Sequence, residues 1–132
     1  MTRLYQILCL LMIVVLSSTC IGAQPPKPNS EVWSGYLVDI VCAQERAKTE
    51  KDFGVNHTRR CLQMPSCDRG GFGLLTDQNQ VLRFDDEGNQ KARTLIMKTN
   101  QQADFRVLVH GVRSEGALSI SKIELVPDRR QK

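Results

Sequence analysis

Apolar and polar positions divide the chain into a leader, a β-rich body and one polar interruption. Nine uninterrupted apolar residues run from Leu8 to Leu16. They are followed by Ser17, Ser18 and Thr19, then a Pro-rich stretch, Gln24-Pro25-Pro26-Lys27-Pro28. The next apolar segment, Val32 to Val41, is rich in β-branched and aromatic residues and predicts a strand. Gly35 inside it predicts a bulge or a bend. Residues 43–62 are polar and charged, with good helix formers at Ala43-Gln44-Glu45-Arg46-Ala47-Lys48. They predict a short irregular helix, broken near Gly54 and unable to continue past Pro65. Gly70-Gly71 is a break.

Beyond it the spacing turns strand-like. Phe72–Thr76 and Val81–Asp85 predict two strands joined by a turn at Asp77-Gln78-Asn79-Gln80. Asp86-Glu87-Gly88-Asn89 predicts another turn. Ala92–Met97 fits either a short helix or a strand. From Phe105 to Val112 the alternation is clear, with Phe105, Val107 and Val109 on one face and Arg106, Leu108 and His110 on the other. Ser114-Glu115-Gly116 predicts a hairpin loop. In the last strand the phase of Leu118 and Ile120 changes to that of Ile123 and Leu125, which predicts a bulge near Lys122. The fold class is therefore mainly β with a short helical insertion. Five short strands suit a small barrel of the oligonucleotide/oligosaccharide-binding type, because curling shut removes exposed edges. A split β-sandwich is the alternative.

The leader sets the expected compartment. A positive start at Arg3, a short apolar run and a small-residue pair at Gly22-Ala23 make the three-part plan of a secretory signal peptide. The run is too short to cross a bilayer. The expected organisation is a signal peptide at 1–23, a Pro-rich flexible segment at 24–30, one small domain at 31–127 and a basic tail at 128–132. The protein is expected to be exported, to the periplasm or beyond. A lipoprotein anchored through Cys20 is the rival route. It matches poorly, because Ser17 and Thr19 stand where aliphatic and small residues are wanted. After cleavage 17 basic and 14 acidic residues remain, a balance of +3. That mild charge, with the basic pairs Arg59-Arg60 and Arg129-Arg130 lacking interleaved aromatics, argues against nucleic acid as a partner. The sequon Asn56-His57-Thr58 matters only in a eukaryotic secretory route.

The chemistry is concentrated in four residues: Cys42, His57, Cys61 and Cys67. Two readings stay open. Three cysteines and a histidine fill a tetrahedral set for zinc. His57 and Cys61, four residues apart, would share a helix face, and Met64 nearby would also suit Cu(I). Alternatively, exported thiols oxidise, and one disulfide, Cys42–Cys61 or Cys42–Cys67, staples the polar insertion to the first strand. Such a bond stabilises by about 2–4 kcal/mol, which matters in a chain with only 5% aromatic residues. Asp39, three residues before Cys42, reads as a carboxylate accepting hydrogen bonds where the chain leaves the strand. Trp33 reads as core. Asp85-Asp86-Glu87-Gly88-Asn89 lacks the ligand spacing of a calcium loop and reads as a solvated turn. No complete catalytic set is visible.

The segment Trp33 to Cys42, of the form W-x-G-x-x-x-D-x-x-C, is followed by His57, Cys61 and Cys67. With Val107-Leu108-Val109-His110-Gly111 and Leu118–Glu124, it resembles a family of small secreted bacterial proteins of unknown function. The motif residues are Trp33, Gly35 and Asp39. The resemblance implies an exported chain with a barrel-like β C-terminal half and carries no activity. The functions that follow are a non-catalytic envelope module binding a protein, peptide or glycan, or a metal- or thiol-redox protein built on the Cys/His cluster, with zinc or copper.

Overall fold

The structure is a computed structural model and describes residues 29–114 and 116–127. The expected signal peptide, the lipidation position Cys20, most of the Pro-rich segment and the basic tail lie outside the described residues. Five strands, β1 (Glu31–Asp39), β2 (Phe72–Thr76), β3 (Val81–Arg83), β4 (Arg106–Ser114) and β5 (Ala117–Leu125), form one antiparallel sheet in the order β3-β2-β1-β4-β5. Its two edges meet at one point, a parallel bridge between Phe84 and Leu118. No continuous ladder joins them, so the sheet is open.

The central strand β1 carries the design. Leu37 and Val38 are adjacent, so they face opposite sides of the sheet, yet both are fully buried. Both faces are therefore covered. On one side Leu37, Leu74, Val107, Val109 and Ile120 pack under Ala92 and Ile96 of a 13-residue helix. On the other, Val38 and Leu75 pack against Ala43, Ala47 and Phe53 of the insertion. Trp33 is half-buried against the larger core, as its apolar bulk requires.

The insertion is four short helices rather than one irregular helix: α1 (Ile40–Arg46), α2 (Phe53–Asn56), α3 (Arg59–Leu62) and α4 (Pro65–Gly70). Pro65 opens α4 at its first position, where the missing N–H is not needed. The strand expected to reach Val41 stops at Asp39, whose carboxylate caps α1. The turn expected at Asp86–Asn89 is instead the first turn of α5 (Asp86–Lys98). Asp85 Oδ1 accepts the Gly88 N–H at 2.8 Å, and Asp86 and Glu87 sit in the first turn, where the helix dipole favours negative charge.

Gly35 makes no bulge. It pairs in register with Thr76 on one side and Val107 on the other, and glycine is needed because a Cβ would lie 2.3 Å from the Leu75 carbonyl oxygen. The expected bulge in the last strand is present. His110 pairs with Lys122 and Gly111 with Ile120, which leaves Ser121 as the extra residue. Its hydroxyl donates to the His110 carbonyl at 3.1 Å. Among the described residues no helix is long and apolar enough to cross a membrane.

Candidate functional site

The site lies where β1 ends. Asp39 is the last residue of the strand and the N-cap of α1, so its side chain turns back over the first helical turn. Its Oδ1 accepts the Cys42 N–H at 2.8 Å. That places Cys42 at the third position of α1, beside the carboxylate. Cys67 holds the matching position in α4, which begins at Pro65. The Sγ atoms of Cys42 and Cys67 are 3.9 Å apart. One ligand atom from each of Asp39, Cys42 and Cys67 falls within 4.8 Å of the other two.

His57 completes the centre from behind. Gly54 lets α2 sit directly on Tyr36, since a Cβ there would lie 2.6 Å from the ring. One turn on, His57 is buried, its ring 4.8 Å from that of Phe53. Its Nε2 is 2.7 Å from Asp39 Oδ2. The two side chains are 1% and 0% exposed, so the pair has no water to fall back on.

The electrostatics of the four groups are coupled. Burial pushes the Asp39 carboxyl upward, but the His57 hydrogen bond, the Cys42 N–H and the Cys67 thiol outweigh it, and Asp39 ends below the ordinary 3.8. It is therefore ionised at neutral pH and can only accept, so Nε2 of His57 carries the proton. The stability that this carboxylate contributes is full above the ordinary value and is lost as pH falls through the lower folded one. The thiols move the other way. Burial first, then the negative Asp39 and the neighbouring Cys67, push Cys42 up to about 12. Burial and the hydrogen bond to Asp39 raise Cys67.

A testable consequence is selective reactivity. At pH 8 a thiol of pKa about 12 is ionised in about one molecule in ten thousand, and the thiolate is the nucleophile. Timed alkylation of the folded metal-free chain, read by peptide mapping, is expected to modify Cys61 first and to leave Cys42 and Cys67 until the chain unfolds. Cys42 reacting as fast as Cys61 would contradict this environment. By the same linkage, stability is highest below about 9, the ordinary thiol value, and falls as pH rises toward 12, because the unfolded thiol ionises there and the folded one resists.

The four expected ligands are thus regrouped. Cys42 and Cys67 come together. Cys61 does not join them as a third sulfur, and its Sγ accepts from the Thr58 hydroxyl at 3.4 Å. It lines a separate cleft of about 150 Å³ with Arg46, Glu50, Phe53, Asn56, His57 and Thr58. His57 and Cys61 do not share a helix face, because His57 and Thr58 are both extended and Thr58 starts α3 as its N-cap. His57 serves the carboxylate instead. Met64 is exposed, beside a surface recess with Arg59 and Pro65. The disulfides considered for Cys42 are not formed, and Cys42, Cys61 and Cys67 are free thiols. Asp39, read from the sequence as a hydrogen-bond acceptor, is one, and it also supplies the oxygen of the Asp39–Cys42–Cys67 group, which the sequence did not single out. The Asp-x-x-Cys spacing was the available signal, since a helix N-cap and the third helical residue face each other. His110 is a partly exposed strand residue, 3.7 Å from Glu124.

Comparison with family models, with curated proteins and with solved structures gives no match for this chain.

Proposed function

We propose that this protein is an exported metal-binding module, with Asp39, Cys42 and Cys67 as the ligands of one ion and zinc as the ion preferred. The observation that carries this reading is the convergence of two thiols and a carboxylate within 4.8 Å in a largely buried cluster. In the absence of a cation both thiols stay protonated, held there by burial and by the Asp39 carboxylate. A divalent cation reverses the sign of each effect. It replaces the two thiol protons, and Asp39 becomes an attraction rather than a repulsion.

The donor set favours zinc over Cu(I). A carboxylate oxygen is a hard ligand, and copper(I) selects sulfur. Two thiolates and one carboxylate carry three negative charges, which a monovalent ion leaves less well balanced in a buried site. His57, donating to the far oxygen of Asp39, orients the carboxylate as outer partners of metal ligands do.

The strand order supports a partly open five-stranded barrel of the oligonucleotide/oligosaccharide-binding type as the scaffold. β1 leads to β2 and β3 on one side and to β4 and β5 on the other, and the parallel Phe84–Leu118 bridge brings the ends together. The apolar leader at residues 8–16 supports export. A second reading is favoured by the 3.9 Å sulfur separation: a Cys42–Cys67 disulfide that staples an envelope module for a protein, peptide or glycan.

Native and denaturing intact masses of zinc-treated protein separate the two. One zinc per chain in the native spectrum, lost on denaturation, with three alkylatable cysteines, is the expected result. The ion is expected to vanish in Cys42→Ser and Cys67→Ser and to persist in Cys61→Ser. A metal-free mass two hydrogens light, with one alkylatable cysteine, in a chain that takes up no zinc after reduction would establish the stapled module instead.

A further inference from the structure

We propose that the centre is gated by oxidation: Cys42 and Cys67 close into a disulfide, and ion binding and bond formation exclude one another. The inference rests on the reading of Asp39, Cys42 and Cys67 as ligands. In a tetrahedral site with Zn–S bonds of about 2.3 Å, two sulfurs stand about 3.8 Å apart. The observed separation is 3.9 Å. A disulfide needs about 2.05 Å. One arrangement of the two side chains is therefore already spaced for the ion and lies about 1.9 Å from the bond. Rotation about the two Cα–Cβ bonds and a small shift of the six-residue α4 can supply that closure.

Neither end state uses the Cys42 N–H or the His57 ring, so Asp39 keeps both partners in either.

With a low-molecular-weight disulfide as oxidant the step balances. In the loaded protein, where the ion has displaced the thiol protons, the thiolate of Cys42, the less buried of the two cysteines, attacks one sulfur of the oxidant. A mixed disulfide forms and the first small thiolate leaves. The Cys67 thiolate then attacks the Cys42 sulfur, the Cys42–Cys67 bond forms and the second small thiolate leaves. Two electrons pass from the protein sulfurs to the oxidant, no proton is consumed, and the ion departs as the divalent cation because both of its sulfur ligands are gone. Cys61, in its own cleft, takes no part.

The test uses the exported chain, freed of its leader, as the Cys61→Ser variant, which leaves only the two proposed thiols. Zinc-loaded protein is treated with excess oxidised glutathione at neutral pH. A chromophoric chelator follows zinc, and denaturing intact mass follows oxidation. One equivalent of zinc is expected to appear in step with a mass two hydrogens lighter, and a reductant is expected to restore one bound zinc. Oxidation with zinc retained, a persistent glutathione adduct, or no oxidation would each overturn the gating while leaving the metal site standing. A variant that holds no zinc before the oxidant is added would overturn the gating and the metal reading together.

Discussion

Asp39→Ala is expected to lower the stability of the domain by about 2–4 kcal/mol, from a lost helix cap and a buried N–H left without its acceptor. The side chain is wholly buried and has several separate tasks. It caps α1 through the Cys42 N–H, and loss of an N-cap alone costs about 1 kcal/mol. It is the observed partner of a histidine side chain that is 1% exposed, so alanine would leave that imidazole buried beside a hole. Small domains have only about 5–15 kcal/mol in total, and denaturant midpoints should show a large fall. Asp39→Asn is the informative companion. Asparagine caps helices as well as aspartate, and its amide N–H₂ donates to Nε2 of His57 once the ring proton moves to Nδ1, so most of the stability should return while metal binding does not. If alanine and asparagine destabilise equally, the cap and the His57 contact are not what the carboxylate supplies.

Gly35→Ala is the second large effect, expected to cost about 3 kcal/mol or more, at or beyond the upper end of ordinary overpacking. The added carbon would lie 2.3 Å from a backbone oxygen of Leu75 and 3.1 Å from the Leu74 side chain. Backbone in the middle of a ladder cannot give way as a flexible side chain does. Gly35 is held in register from both sides, by β2 and by β4, so relief on one side strains the other. Gly116 provides the contrast. Its φ is +80 but it has open space around it, and alanine there should cost only about 1–2 kcal/mol of backbone strain. Thermal melts of the two variants compare the effects, and equal losses would show that the β1–β2 approach is less tight than the structure gives.

The pattern that alternates with period two was the easiest to read. Phe105, Val107 and Val109 are fully buried and Leu108 faces out, and the late phase change marks the bulge at Ser121. Only the second half of α5 was offered as a helix, at Ala92–Met97 and beside a strand reading, because the buried residues of the helix are Gly88, Ala92 and Ile96. Two of the three are too small to make an apolar stripe, and the acidic cap reads locally as a turn. The second layer was hidden for a related reason. A polar insertion covers the back of β1 with only Ala43, Ala47 and Phe53. For the site, the sequence offered Cys42–Cys67 as one of two pairings, and the structure brings those two sulfurs to 3.9 Å. Cys42 and Cys67 are 25 residues apart, and their meeting depends on α4 docking against α1. Cys61 stands apart from that pair because the extended backbone at His57 and Thr58, which rotates it away, leaves no mark on the i, i+4 spacing.

X-ray absorption at the zinc edge of the loaded protein tests the central claim most directly. Two sulfur scatterers at about 2.3 Å with oxygen or nitrogen at about 2.0–2.2 Å are predicted. Three sulfurs would return Cys61 to the ligand set, and a shell without sulfur would place the ion elsewhere; either would contradict the site built on Asp39, Cys42 and Cys67.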